Sequence, residues 1–151
     1  MAALGGDPND PALAGKGPYS VIITEAQGLR QFLWFEGIDF EDVWVPTPAD
    51  LNGLDAALRS FLQANRNIRA RTYFHREYAL AHLRRYNREY SGFIKDGTRR
   101  IICQMHLADG IARQPSEDKF TVIFDGCCAV VRVVFDAMTG TIIEIDCNGG
   151  A

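Results

Sequence analysis

The 151-residue chain lacks the features typical of membrane proteins and of nucleic-acid-binding proteins. No stretch approaches the roughly 20 consecutive apolar residues that a membrane-spanning helix needs. Basic residues are not in excess, because 16 Lys and Arg stand against 19 Asp and Glu, which gives a net charge of −3. A nucleic-acid partner requires a basic surface that neutralises its phosphates. The sequence therefore predicts no membrane span and no nucleic-acid partner.

The motifs of familiar catalytic and cofactor sites are also missing. The chain contains no G-x-S-x-G nucleophile motif, no phosphate-binding loop, no H-E-x-x-H and no dinucleotide fingerprint. Its three histidines, His75, His82 and His106, have no ligand spacing, and we expect each to be an ordinary structural or surface residue. The sequence therefore predicts no catalytic residue, no cofactor and no metal, and it favours a non-enzymatic protein over an enzyme.

What remains is the composition of an ordinary globular domain. Apolar residues make up 47% of the chain and charged residues 23%, and the length is sufficient for one buried core. Gly, Pro, Asp and Asn dominate residues 1–18, which predicts a flexible tail before a single domain at residues 19–151. The tail has neither the basic start nor the apolar core of a secretory signal. As written, the sequence is compatible with a cytoplasmic protein or with the mature form of a periplasmic or secreted one.

The clearest local pattern predicts a helix that begins at Pro48 and ends near residue 64. Thr47 is expected at the N-cap, Pro48 at the first helical position and Asp50 at the third. Apolar residues then recur at spacings of three and four. This stripe consists of Leu51, Leu54, Leu58, Phe61 and Leu62. We expect the helix to cover one face of a sheet.

The segments on either side of this helix have weaker patterns. Residues 19–24 predict a short β-strand. The aromatic-rich residues 25–45 favour strands or an irregular packed arm. Residues 68–82 are ambiguous, and their expected anchors are the aromatic residues Tyr73, Phe74 and Tyr78.

Two β-hairpins are predicted in the second half of the chain. The first turns at Asp96 and Gly97, a pair typical of two-residue hairpin turns. Its expected cross-strand pairs are Lys95–Thr98, Gly92–Ile101, Tyr90–Cys103, Arg88–Met105 and Tyr86–Leu107. The second spans residues 129–147 around the turn D-A-M-T-G. Its expected pairs are Phe135–Thr141, Val133–Ile143, Val131–Ile145 and Ala129–Cys147.

These elements predict an α+β fold in which one main helix packs on a curved antiparallel sheet of about four strands. Between the hairpins we expect a polar loop at residues 108–118 and a further strand segment at residues 120–124. The order of one helix followed by antiparallel strands is similar to the cystatin-like and NTF2-like layouts.

The four cysteines are assigned to faces by the alternation of side chains along a strand. This alternation predicts that Cys103, Cys127 and Cys147 point toward the apolar layer and that Cys128 points the other way. Adjacent strand residues cannot ligate one metal from a single face, and the C-x2-C pairs of zinc fingers are absent. Two interpretations remain open: the three inward cysteines are buried thiols, or two of them form a disulfide.

One motif suggests a possible ligand site, the stretch Y-N-R-E-Y-S-G at residues 86–92. Alternation places Tyr86, Arg88 and Tyr90 on the apolar face, where an arginine needs water or a partner. In a structural role, Arg88 would pair with a carboxylate such as Asp125. In a binding role, a curved sheet would leave a concavity where Arg88 faces an anionic ligand between two tyrosines. The sequence favours the structural role, and these four residues are the ligand-binding candidates.

Five stretches of the chain form a set of motifs. They are W-V-P-T-P at residues 44–48, Y-N-R-E-Y-S-G at 86–92, D-G-C-C at 125–128, F-D-A-M-T-G at 135–140 and the terminal N-G-G-A. The set resembles an uncharacterised group of small, often exported bacterial proteins with W-x-P-T-P, Y-x-R-Q-Y-x-G, D-G-G, Y-D-x-x-T-G and N-G-x-A. The chain departs from the group at Glu89, where the group has Gln, and at Cys127, where it has Gly. The resemblance implies a shared fold, since the group brings no established activity.

The leading functional hypothesis is a non-enzymatic binding or protein-interaction module for an unknown protein or small molecule. One alternative is a small NTF2-like hydrolase or isomerase with a cone-shaped pocket, in which Arg88, Tyr86 and Tyr90 polarise a substrate. A second alternative is an inhibitor or immunity protein that masks a secreted enzyme. A pocket with a perturbed acid or histidine would favour the enzyme. An exposed apolar or acidic patch would favour the inhibitor.

Overall fold

A computed structural model describes residues 18–35, 37–64, 75–107, 116–121 and 127–148. These residues form three helices and six strands. In chain order the elements are β1 (Ser20–Ile22), α1 (Ala26–Phe35), β2 (Asp42–Trp44), α2 (Pro48–Ala64), α3 (Arg76–Ala81), β3 (Tyr86–Lys95), β4 (Thr98–Leu107), β5 (Cys127–Asp136) and β6 (Thr141–Asn148). The predicted α+β class is confirmed. The prediction of one helix on about four strands gave too few elements.

Helix α1 accounts for much of this difference. Its buried residues Leu29 and Leu33 are four positions apart, so their side chains form one stripe that packs on the sheet. The aromatic residues that suggested strands lie on other parts of the helix, where Phe32 stacks on Phe120 at 4.1 Å and Trp34 is 78% exposed. The expectation of strands in residues 25–45 was therefore correct only for β2.

All six strands belong to one sheet with the order β1-β3-β4-β5-β6, and β2 also pairs with β3. β1 runs parallel to β3 beside Arg88–Tyr90, whereas β2 runs antiparallel to β3 beside Gly92–Ile94. The two short strands therefore share one edge of the sheet. Within the described residues, β6 forms the opposite edge.

The register of the first hairpin is confirmed at every predicted pair, from Lys95–Thr98 to Tyr86–Leu107. Asp96 and Gly97 form its turn with φ values of 54° and 71°. A two-residue turn that follows the twist of the strands needs positive φ at such positions, and Asp and Gly adopt it readily. The Asp96–Gly97 pair was therefore sufficient to predict the register of this hairpin.

The predicted register of the second hairpin was wrong. Thr141 pairs with Asp136 instead of Phe135, because the turn is one residue shorter than expected. An irregularity at Val134 and Phe135 then makes Ile143 an additional residue in β6. Ile143 consequently leaves the face predicted for it and is 45% exposed.

The sheet has two buried faces. The first face packs against α2 and α3, and the leucines that α2 buries there confirm the predicted stripe at Leu51, Leu54, Leu58 and Leu62. The second face packs against α1. Its core consists of Tyr19, Val21, Ile23, Leu29, Leu33, Phe93, Ile102, Phe120 and Val134. The sheet therefore lies between helices on both sides.

The start of α2 has the predicted cap. The backbone N–H of Asp50 donates to Thr47 Oγ1 at 3.2 Å, and the backbone N–H of Thr47 donates to the Asp50 carboxylate at 2.8 Å. These reciprocal bonds satisfy two backbone donors at the helix terminus and hold the chain at its entry into α2.

Several sequence predictions fall wholly or partly outside the described residues. These are most of the tail at 1–18, the anchors Tyr73 and Phe74, residues 108–115 of the polar loop, residues 122–124, Asp125 and the side chain of Cys127. Phe120 and Thr121 are described and do not form a strand. None of the described helices is long and apolar enough to span a membrane.

Candidate functional site

Arg88 finds its partner on helix α2. Its Nη1 lies 2.5 Å from Oδ1 of Asp55, and the two side chains are only 11% and 9% exposed. The Tyr90 hydroxyl donates to the same carboxylate oxygen at 3.0 Å. Arg88 Nη2 also donates to the backbone carbonyl of Leu83 at 3.0 Å. The pair therefore connects α2 to β3 across the first face.

The protonation of these groups reflects their burial. Burial raises the pKa of Asp55, although the Arg88 guanidinium and the Tyr90 hydroxyl oppose this rise. Burial also raises the pKa of Tyr86, whose hydroxyl donates to the carbonyl of Cys128 at 2.6 Å. Tyr86, Arg88 and Tyr90 thus have partners within the chain, which favours the structural role over ligand binding.

The cysteines differ from the predicted arrangement. Cys128 and Cys147 form a disulfide that joins β5 to β6, and both belong to the core of the first face. The prediction that Cys128 points outward was wrong, because a register irregularity between Cys127 and Val131 interrupts the alternation of side chains. Cys103 is a fully buried free thiol, and burial raises its pKa well above the usual value. A buried, protonated thiol is a poor nucleophile.

The second face contains a buried polar cluster around Glu89, which is 1% exposed. Its carboxylate accepts hydrogen bonds from Gln104 Nε2 at 2.9 Å and from the hydroxyl of Thr121 at 2.7 Å. The backbone N–H of Thr121 also donates to it at 3.0 Å. Glu89 therefore holds Thr121 against the sheet.

His106 completes this cluster. Its Nε2 lies 3.8 Å from Glu89 Oε1 and 3.3 Å from the Tyr19 hydroxyl. Burial acts to raise the pKa of Glu89, but hydrogen bonding and charge interaction with His106, together with hydrogen bonds from Thr121 and Gln104, outweigh burial and lower it. His106 Nδ1 is buried without a hydrogen-bond partner among the described residues. Gln104 and His106 lie two positions apart on β4, so the alternation of side chains brings both to this face, but sequence reasoning did not predict the cluster.

A groove of about 240 Å³ lies on the second face beside the end of α1. Its apolar floor and wall are formed by Phe93, Ile102, Val134, Ile38 and Ile143. Gly37 and the charged residues Lys95, Arg100, Arg132, Glu144 and Asp146 complete the lining. We call this surface the second-face groove.

The charges in the second-face groove are unevenly distributed. Lys95 and Arg100 lie on β3 and β4, whereas Glu144 and Asp146 lie on the edge strand β6. Arg132 and Glu144 each take part in an interaction within the chain. By contrast, Arg100 Nε is buried and has no hydrogen-bond partner in the described part of the chain. Sequence reasoning missed the groove because α1 and the register of β6 were both predicted incorrectly.

No model of a known protein family matches the chain, and neither a curated protein nor a solved structure is significantly similar to it. The resemblance to the group of small bacterial proteins therefore stays a prediction. Within the described residues, no three His, Cys, Asp or Glu side chains are placed to hold a metal ion. The function of the protein must therefore be inferred from its own geometry.

Proposed function

We propose that the protein is a non-enzymatic binding module whose binding surface is the second-face groove. The observation that carries this proposal is the combination of an apolar floor with a charged rim in a concavity of about 240 Å³. Binding sites are typically concave and combine apolar side chains with polar groups that orient the ligand. The lining of this groove is more polar than usual, which favours a charged or hydrogen-bonding partner. The partner is a protein segment or a small molecule that fits this surface.

The burial of the acid and the histidine supports binding over catalysis. Glu89 and His106 are 1% and 0% exposed, and α1 and residues 116–121 pack on the same face. A general acid or base must come within hydrogen-bond reach of its substrate. An NTF2-like hydrolase or isomerase that used these groups would first have to open the second face. The enzyme alternative therefore has less support.

An inhibitor or immunity protein would be one form of such a binding module. The large apolar side chains exposed outside the groove include Trp34, Val45 and Met138, at 78%, 61% and 67%. They lie on α1, after β2 and in the turn between β5 and β6. Single exposed apolar residues are normal on soluble proteins. The groove is therefore a better-supported contact surface than any of them.

We further propose that α2 and strands β3 to β6 form a cystatin-like unit, to which α1, β1 and β2 are added. The four long strands are consecutive and antiparallel, and α2 packs on one of their faces. The Cys128–Cys147 disulfide supports a place of action in an oxidising compartment, since such bonds are uncommon in the reducing cytosol.

The binding role can be tested by filling the groove. Ile143 lines it and is 45% exposed, so Ile143→Trp adds an aromatic ring there with little change in buried packing. Met138→Trp is a matched control, because Met138 is 67% exposed and does not line the groove. Proteins and small molecules that co-purify with each variant are quantified by mass spectrometry.

We expect one or more specific partners to be retained by wild type and Met138→Trp and lost by Ile143→Trp. Thermal unfolding of both variants checks that each is folded. If both variants retain every wild-type partner at the same recovery, the groove is not the binding surface.

A further inference from the structure

We propose that the second-face groove binds a free carboxylate next to an apolar side chain, as at the C-terminus of a short peptide, and that Arg100 receives the carboxylate. This ligand assignment rests on the proposed binding role of the groove. It adds the chemistry of the ligand and the residue that recognises it.

The side chain of Arg100 provides the first argument. Its Nε is buried and lacks a hydrogen-bond partner among the described residues, and a buried polar group without a partner is uncommon and costly. The backbone of Arg100 is held in place, because Trp44 Nε1 donates to its carbonyl oxygen at 3.0 Å. The guanidinium presents N–H donors in a planar fork that matches the two oxygens of a carboxylate. Nε itself is not accessible to a ligand, so a carboxylate in the groove would pair with the Nη donors of the same guanidinium and neutralise its charge.

The charge of the groove provides the second argument. Among the residues that the structure describes, three basic side chains line the groove against two acidic ones, which gives these side chains a net charge of +1 in a chain with a net charge of −3. An anion is consequently attracted to this surface in preference to the rest of the protein. The surplus lies toward Lys95 and Arg100, and Lys95 Nζ is anchored there by its hydrogen bond to the carbonyl of Asp39 at 3.2 Å.

The acidic side of the groove distinguishes a peptide from a simple fatty acid. Glu144 and Asp146 lie on β6, two strand spacings or about 10 Å from β4. Asp146 Oδ1 accepts the backbone N–H of Cys147 at 2.9 Å, and Glu144 also has an interaction within the chain. A carboxylate can accept further hydrogen bonds, and an alkyl chain that crossed the groove would remove water from these remaining acceptor positions without replacing it. A peptide supplies N–H donors along the same path. The groove therefore fits a peptide end better than a fatty acid.

The floor sets the size of the ligand. Ile38 and Ile143 supply most of the accessible apolar surface of the groove, whereas Phe93 and Ile102, at 0% and 1% exposed, lie beneath it. The volume of about 240 Å³ lies below the roughly 300–1,000 Å³ of pockets for drug-sized ligands. One apolar side chain and one or two peptide units are the expected occupants.

The test compares N-acetyl-Ala-Leu as the free acid with the same dipeptide as its C-terminal amide. Titration of the isotope-labelled full-length protein, followed by NMR, gives the Kd and the residues that respond. We expect the acid to bind at least about tenfold more tightly than the amide, because the charge-assisted hydrogen bonds to the Arg100 guanidinium are lost in the amide. The responding backbone signals should belong to residues that line the groove. A small carboxylic acid, 4-methylpentanoate, and its amide form a second arm that separates a free acid from a peptide end.

Variants identify the receiving residue. Arg100→Gln should remove the preference for the acid, whereas Arg99→Gln should retain it, since Arg99 is exposed and faces the other side of β4 beside Trp44. Equal affinity of wild type for acid and amide would overturn the inference without any variant. If Ile143→Trp loses its protein partner but the free acid neither binds nor displaces that partner, the groove is still an interface and the carboxylate assignment is wrong. If 4-methylpentanoate binds as tightly as the dipeptide, the ligand is a small acid and the peptide assignment is wrong.

Discussion

Replacing Arg88 by methionine should destabilise the protein at neutral pH, because the substitution leaves the Asp55 carboxylate buried beside an apolar side chain. Asp55 is 9% exposed, so water can hydrate it only in part. Removal of one partner from a buried ion pair typically costs about 3–5 kcal/mol. Tyr90 still donates to Asp55, and the positive charge of Arg59 also acts on it. We therefore expect a loss near the lower end, about 3 kcal/mol.

The pH dependence tests the cause of this loss. In the variant, burial still raises the pKa of Asp55 and the opposing effect of Arg88 is gone. Protonated Asp55 is neutral, and its burial then costs less. Because the pKa of Asp55 is higher in the folded variant than in the unfolded chain, the folded variant binds a proton first as pH falls. The difference in free energy of unfolding between the variant and wild type should therefore shrink between pH 7 and about pH 4.

The assay is urea unfolding of wild type, Arg88→Met and the double variant Asp55→Leu/Arg88→Met at several pH values. The double variant removes both charges, and replacing a buried pair by apolar residues is often neutral or stabilising. We expect its stability to return to within about 1 kcal/mol of wild type or to exceed it. A single variant as stable as wild type at pH 7, or a loss that does not change with pH, would refute this account of the pair.

Two further predictions concern the disulfide and the buried polar cluster. Cys147→Ser removes the disulfide to Cys128 and should lower the free energy of unfolding. A disulfide that closes a loop with a sequence separation of 19 contributes about 3 kcal/mol. A variant with the same unfolding midpoint in guanidinium chloride as the oxidised wild type would contradict this prediction. Glu89→Gln should cost about 1–3 kcal/mol at neutral pH, since it disturbs the hydrogen bonds with Thr121 and Gln104. Because the folded pKa of Glu89 lies below its ordinary value of 4.5, its stabilisation is fully present above pH 4.5 and disappears as pH falls through the folded pKa; a difference between variant and wild type that persists unchanged at acid pH would count against it.

The parts of the fold that sequence predicted correctly are those with strong local signals. α2 has a complete cap at Thr47 and an apolar stripe with a single helical period. The first hairpin has a turn pair that admits one register, so all five of its pairs were correct. In both cases, neighbouring residues alone determine the conformation.

The second hairpin failed because its register depends on irregularities in the strands. One lies at Val134 and Phe135 and one between Cys127 and Val131, and each changes which side chains face the core. Strict alternation assumes that no residue is inserted, and one additional residue turns all later side chains to the other face. Strict alternation therefore could not predict that Cys128 faces the core, and it could not predict the disulfide that Cys128 forms.

The partner of Arg88 was missed for a different reason. Asp55 lies on α2, 33 positions before Arg88, and the expected partner was Asp125. The helix was correctly predicted, but the side of α2 that meets β3 depends on how the helix is rotated and displaced on the sheet. Such contacts depend on long-range packing between the helix and the sheet, and the local sequence patterns of α2 and β3 do not determine them.

Two errors of sequence reasoning concern residues that line the surface proposed to bind. α1 replaces a predicted arm, and Ile38, just beyond its end, lines one side of the second-face groove. Ile143 is the inserted residue of β6, and the insertion is what turns it toward the groove instead of the first-face core. Natural proteins depart from local rules mainly where function or strain requires it. The insertion at Ile143 is such a departure in the groove, and the irregularity between Cys127 and Val131 is another on the first face.

The two faces differ in their polar groups. Arg88 and Tyr90 are paired with Asp55, whereas Arg100 Nε has no hydrogen-bond partner among the described residues. This difference is a reason to seek the partner of the protein at the second face.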